Sequence, residues 1–512
     1  MTRRAFLRGS AAAGALAAGA ATATATPTLL DATPFDAGMV EELARDLAGQ
    51  PYRARPEVPQ AWRDLSYDEY RTIWFDTSKA IWQGTDAPFR MDLFHPGLYF
   101  PRAVEVNVAS DGLASPIAFD FALFDRTDRS PSLPVDDTMG FSGLRLRAAS
   151  DVPGVFREFA VFQGASYFRA IGRDLVYGLS ARGLALRTGD AEGEEFPDFT
   201  RFWVEEPAAD ARAVVVHALL DGPSVAGAYR FEVAPGPSCR IDVEATLFPR
   251  VPLDHVGIAP LTSMFLYDHT NRWRFRDFRP AIHDSDGLAI RNGAGERLWR
   301  PLANPVKLEI SSFVDDDPRG FGLMQRARRL SDFGDLEAHY ERRPSLWIEP
   351  EGSWGEGVVR LVEIPSDREV YDNVVAYWRP RDPLSAGGPH RFAYRMTWFD
   401  EGRDDPLAGS EVAPVIETMI GESFDRTRLV AAIDFGAHAA FDGPDLAAFD
   451  VFTGASAGDA SDGVLQRNPE TGGVRLAFSF DPGDRPQVEL RAQIRRDGRT
   501  VSEVWLYRWT RS

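Results

Sequence analysis

The sequence predicts an all-β protein, and three observations carry that reading. Several runs alternate polar with apolar residues at the period of half-buried strands, helix signals are few, and turn chemistry recurs between the runs. In chain order, Asp36 offers an N-cap for a helix that buries Val40, Leu43 and Leu47 and ends at Gly49. Ser66 with Glu69 forms a capping box ahead of Tyr70 and Trp74. Strand alternation follows at Cys239–Ala245, Val306–Ile310, Val474–Phe480 and 487–495. Asp497-Gly498 reads as a hairpin turn, and the Pro/Gly-rich RDPLSAGGP at 381–389 reads as a linker.

Length and charge narrow the class. The chain has 512 residues and a formal charge of −19, so it is too long for one core and two domains are expected. The N-terminus reads TRRAFLR and then an Ala/Gly-rich run, with small residues at Ala21-Thr22-Ala23 and Ala23-Thr24-Ala25. This is the pattern of a twin-arginine export leader over residues 1–25, which predicts a periplasmic protein. Removing the leader's three arginines leaves −22. Such a field repels nucleic acid and anionic lipid, while a neutral polysaccharide stays permitted. No other run has the length of a membrane span, so no membrane insertion is expected. The single Cys239 forms no internal disulfide. The boundary is placed near 390, giving domains at 26–390 and 391–512.

Several motifs carry less than their spelling suggests. Gly454-Ala455-Ser456-Ala457-Gly458 matches a nucleophile elbow, but no helix pattern follows it. Asp315-Asp316-Asp317 and Asp284-Ser285-Asp286-Gly287 resemble calcium-loop fragments without the downstream glutamate. The eight histidines show no zinc spacing, and no Gly-rich phosphate loop appears, so neither metal nor cofactor is expected.

The densest stretch runs from Phe162 to Trp203, where Tyr167, Arg169, Tyr177 and Arg182 stand beside Gly164, Gly178 and Gly183. Aromatics, arginines and acids in that mixture suit a surface that holds sugar. Together with VGIAPLTSMF at 256–265, IHDSD at 282–286, RRPSLWIEP at 342–350 and YDNVVAYWRP at 371–380, the block resembles the bacterial periplasmic glucan biosynthesis proteins G and D. The resemblance runs from about Phe35 to the C-terminus, and the leader points to the D branch. It implies a large β-sandwich of the carbohydrate-enzyme type followed by a smaller immunoglobulin-like sandwich. It also implies a β-glucan ligand and a membrane glucan synthase complex as partner; open sheet edges suit a homodimer.

Carboxylates are the chemistry that remains. Glycosidic cleavage needs a protonated acid at the leaving oxygen and a base or nucleophile across the ring. Asp372 sits in the apolar run Val370–Val375, where desolvation favours the protonated form, and Asp284 sits in a polar, turn-like site that suits an ionised base. By resemblance to D-branch proteins that cleave β-1,2-glucan, Asp372 matches the general acid and Asp284 the general base; from the residues alone His283 reads as a hydrogen-bonding group that orients its neighbour. Tyr340, Trp347, Trp354, Tyr371 and Trp378 are candidate sugar platforms, and Arg343 and Glu349 candidate hydroxyl partners. The expected activity is inverting endo-β-1,2-glucan hydrolysis; a non-catalytic glucan-binding partner and a transglycosylase are the alternatives.

Overall fold

The structure, a computed structural model, describes residues 26–400, 405–443 and 445–511. The expected leader lies outside them. Strands dominate, as read, and the described chain divides into two compact units. One holds residues up to Pro260 together with Tyr377–Trp398, and the other holds Leu261–Ala376 together with residues from Phe399 onward.

The first unit faces two sheets across an aromatic core. One sheet follows the order Thr33–Pro34, Leu113–Pro116, Glu105–Ser110, Asp198–Glu205, Val214–Asp221, Val225–Ala234, Cys239–Pro249 and His390–Phe399. Neighbours are antiparallel except Glu105–Ser110 against Asp198–Glu205. Cys239–Pro249 contains the alternating run of the sequence, and up to Leu247 the buried positions are the odd ones, Cys239, Ile241, Val243, Ala245 and Leu247, with Phe248 and Pro249 buried after them. The other sheet contains Phe89–Phe94, Gly143–Ala149, Phe156–Gln163, Tyr167–Ala170 and Ser180–Arg182. Phe162 and Phe168 from this layer each meet Phe231 of the first at 5.1 Å between ring centres. The helix Ala37–Ala48, capped by Asp36 and closed at Gly49 as expected, covers the first sheet with Val40 and Ala44 against Trp203, Leu219 and Phe248. The Ser66/Glu69 capping box is present, but it starts only a single turn, Tyr67–Tyr70; Trp74 already belongs to the strand Ile73–Phe75.

In the second unit one sheet runs Ser345–Glu351, Gly320–Met324, Gly287–Arg291, Arg297–Pro301, Val504–Thr510, Gln487–Arg496 and Asp450–Ala455. A five-stranded sheet is built around Val415–Glu422, Leu429–Phe435 and Val474–Asp481. Their shared core joins Trp299, Met324 and Trp347 to Phe435, Phe478 and Trp505. Residues past 399 therefore share a core with residues from 289 on, because Leu298 and Trp299 pair in parallel with Val504 and Trp505. This grouping is discontinuous, unlike a single cut near 390.

Two local expectations need correction. The 381–389 stretch is no linker in this grouping: it lies inside the first unit, where Leu384 bridges Leu253 and the strand His390–Phe399 begins directly after it. The alternating run Val306–Ile310 enters a strand only at Glu309. Val306 and Leu308 stay exposed, since pairing with Glu356–Glu363 starts at Glu309 opposite Glu363. The Asp497-Gly498 turn is as read, with positive φ at both residues (50° and 76°) between paired Arg496 and Arg499, the type I′ requirement.

Candidate active site

The segment Ser263–Phe265 organises the acid-bearing region of the second unit. On one side the Asp284 backbone N–H donates to the Met264 carbonyl at 2.8 Å, and Ser285 Oγ lies 2.8 Å from Ser263 Oγ. On the other side the Asn373 N–H donates to the Ser263 carbonyl at 3.0 Å. The Asn373 amide then accepts from the Phe265 N–H at 2.9 Å and donates to the carbonyls of Phe265 and Ile364 at 2.9 and 3.0 Å. Asp284 and Asp372 thus flank one backbone segment from opposite sides.

The two acids have different surroundings. Asp284 is fully buried and ion-paired with buried Arg343, whose guanidinium stacks 4.0 Å from the centre of the Tyr340 ring. Asp372 is half-buried beside exposed Tyr371, one residue before the buried Asn373 that leads into the strand Val374–Pro380. The apolar run therefore buries Asn373, not the aspartate expected there. Only the amide can satisfy that position, because it must donate twice and accept once.

His283 is buried and stacks on Phe265 at 5.5 Å. Gln325 Nε2 donates to the carbonyls of His283 and Tyr340 at 2.9 and 3.2 Å, so its Oε1, 2.8 Å from His283 Nδ1, is the acceptor. The ring proton therefore sits on Nδ1. Burial pushes the imidazole pKa down to about 4, so His283 is a neutral orienting group. Asp286 accepts from the Arg326 and Ala327 N–H groups, and burial raises its pKa. The glycine after it is a close-approach position: a Cβ on Gly287 would lie 2.1 Å from the Trp299 ring.

A network not foreseen in the sequence holds Tyr340. Its hydroxyl donates to Glu369 at 3.1 Å, and Glu369, Asp277 and Asp335 all pair with Arg279 at 2.7–2.8 Å. Hydrogen bonding to Arg279 draws the Asp277 pKa down to about 2. These residues are scattered from 277 to 369, so no local spacing announced them; Glu369, three residues before Asp372, was the nearest signal.

The remaining candidates divide. Asp284, His283, Tyr340 and Arg343 come together directly. Trp347 is 2% exposed and packed in the second unit's core, its ring occupying the space a Cβ on Gly320 or Gly322 would need. Glu349 is half-buried in the same strand, and Trp354 is buried at the turn beyond it. Seven residues lie between Arg343 and Glu351, about 25 Å of extended chain, so Trp354 lies far along the chain path from the acids. Tyr167, Arg169, Arg182 and Trp378 belong to the first unit. There Arg182 pairs with Glu194 at 2.5 Å, stacks 5.0 Å from the Tyr167 ring and reaches the exposed Phe196 ring at 5.5 Å. Arg169 and Trp378 are buried.

With this geometry described, similarity adds context. The family model described as "Periplasmic glucan biosynthesis protein, MdoG" matches residues 35–509. The chain is 48% identical to "Glucans biosynthesis protein G" of Shewanella sp. (strain MR-4) over 484 residues, 93% of this chain and 87% of that protein. "Glucans biosynthesis protein G 1" of Shewanella oneidensis is similar to the same extent. "Glucans biosynthesis protein G" of Shewanella frigidimarina matches at 48% over 479 residues, 93% of this chain and 85% of that one. These relatives carry the G name, whereas the paired arginines pointed to D on residues outside those described.

Proposed function

Because the chain belongs to the periplasmic glucan biosynthesis family, we propose that it processes the β-1,2-linked backbone of periplasmic glucan as an inverting, endo-acting glycoside hydrolase. The observation that carries this reading is the placement of Asp372 and Asp284 on opposite flanks of Ser263–Phe265. In the proposed reaction half-exposed Asp372 gives its proton to the leaving glycosidic oxygen. A water attacks the anomeric carbon from the opposite face and passes its proton towards Asp284. Because Asp284 is enclosed and paired with Arg343, that proton travels through a water or a substrate hydroxyl. The neutral His283 and the Arg279–Glu369–Tyr340 chain position these groups and take no proton in the step.

The burial of Asp284 also favours a second reading, a non-catalytic glucan-binding partner of a membrane synthase, in which Asp372 accepts sugar hydroxyls. One experiment separates the two: purified protein is incubated with linear β-1,2-glucan while product sizes and anomers are followed. Cleavage with inverted anomers is expected, and Asp372→Asn and Asp284→Asn should each lower turnover by orders of magnitude with affinity largely kept. Binding without any cleavage by the wild type would transfer the argument to the second reading.

A further inference from the structure

The second unit contains a cavity of about 520 Å³ that shares no residue with the acid-bearing region. Its walls come from two terminal strands, Glu309–Asp316 and Asp450–Ala455, each at the edge of its own sheet, and from the facing strands Gln487–Arg496 and Val504–Thr510. The GASAG stretch, which no helix follows, supplies part of the wall through Gly454, Ala455 and Ser456.

The lining states what fits. Its cations already have carboxylate partners: Arg300 with Glu363 at 3.3 Å, Arg491 with Glu296 at 3.2 Å, and Arg508 with Glu489 at 2.6 Å. An anion would have to compete with all three pairs, so the site has no surplus positive charge for a phosphate or carboxylate. What it offers instead is hydroxyl, paired charge and ring face. Ser312, exposed on the strand Glu309–Asp316, lines the same wall. Phe452, 50% exposed, presents a large aromatic surface at the same wall. Rigid aromatic faces pack on the apolar faces of sugar rings while serine and guanidinium groups meet hydroxyls. The volume lies in the range of about 300–1,000 Å³ usual for small-ligand sites, enough for a short stretch of sugar rings.

We infer that this cavity is a second, non-catalytic site for a neutral glucan segment, with Phe452 as ring platform and Ser312 as hydroxyl partner. The inference rests on the glucan reading above and deepens it: a long chain engaged at two places on the second unit is retained between cuts, or between presentations, while its scissile bond is at the acids.

The test uses full-length mature protein carrying Asp372→Asn, so that sugar is not consumed, with a linear β-1,2-linked glucohexaose as probe and glucose 6-phosphate as control. Hydrogen exchange should show the hexaose protecting 309–313 and 450–456, and the sugar phosphate leaving them unchanged. Phe452→Ala should remove that protection, and in otherwise wild-type protein it should raise KM for long glucan about tenfold, the order of losing one stacked ring, with kcat unchanged. Phe452→Trp should retain both. If glucan is bound or cleaved but these segments gain no protection and Phe452→Ala changes nothing, the second site is wrong and the glucan reading stands. Protection by the sugar phosphate alone would overturn the neutral-ligand assignment, and protein that neither binds nor cleaves glucan would overturn both.

Discussion

The first unit's paired sheets and the second unit's acid-bearing region follow opposite rules of burial. Between Phe162, Phe168, Phe199 and Phe231 the first unit is an aromatic core, filled by alternating strands that send one face inward. Around Ser263–Phe265 the second unit instead encloses Asp284, His283, Ser285, Gln325 and Arg343. Burying that many polar groups is unfavourable unless each is paired. The pairing observed, Asp284 with Arg343 and His283 with Gln325, is therefore what makes the region stable enough to present Asp372 and Tyr371 at its edge. The contrast predicts that the core responds to lost volume and the acid region to lost partners.

The largest effect is expected from Arg343→Ala. It leaves the buried Asp284 carboxylate without its cation, a change that costs about 3–5 kcal/mol when one member of a buried pair is removed. Chemical denaturation should show that loss, and adding Asp284→Asn should recover part of it by removing the orphaned charge. A single-variant cost under about 1 kcal/mol would mean that the pair is not the support described. In the aromatic core Phe231→Ala should cost a similar 3–5 kcal/mol, but no charge change elsewhere should rescue it; recovery there comes only from refilling the volume, as in Phe231→Leu. If a polar second-site change restored Phe231→Ala, the distinction between the two regions would collapse.

How much of this was legible in the sequence follows from the same contrast. Where one local signal suffices, the reading succeeded: Asp36 and Gly49 bound a helix, Asp497-Gly498 turns a hairpin, and Cys239–Leu247 buries every second residue. Val306–Ile310 failed because alternation describes a strand only where a partner strand is present, and the partner begins at Glu309. The polar region was legible as motifs but not as pairs. IHDSD and the RRP of 342–344 lie far apart in sequence, and nothing local says that Arg343 meets Asp284 or that Glu369 joins Arg279 to Tyr340. Trp347 read as a platform because tryptophan among charges looks exposed, yet Gly320 and Gly322 on the adjacent strand make room for it in the core.

A smaller effect compares the two units through one buried histidine each. His95 in the first unit and His283 in the second are both pushed down to about 4, chiefly by burial. The unfolded chain protonates each near the ordinary value of about 6.5, whereas the folded one resists until about 4. The stability each contributes is thus complete above pH 6.5 and lost as pH falls towards 4, at most about 3 kcal/mol per residue. Burial raises Asp268 and Asp286, which favours the fold as pH falls, so the readout is the difference between wild type and variant. His283→Gln should flatten the pH 4–6.5 slope of exchange protection in the second unit, and His95→Gln that in the first. Equal flattening of both units by either variant would show that the effect of each histidine is not confined to its own unit.

The smallest effect isolates local from tertiary stabilisation in the helix Ala37–Ala48. The Asp36 side chain accepts from the Met39 N–H at 3.1 Å, satisfying one of the donors that a helix start leaves unpaired. Asp36→Ala should cost about 1 kcal/mol and Asp36→Ser almost nothing, because serine keeps an acceptor at the same place. The buried Val40 and Ala44 contacts with Trp203, Leu219 and Phe248 remain in either variant. The helix should therefore stay formed, with faster exchange confined to the amides of its first turn. Loss of exchange protection along the entire helix on Asp36→Ala would show instead that the cap, and not the packing against the sheet, decides whether this segment folds.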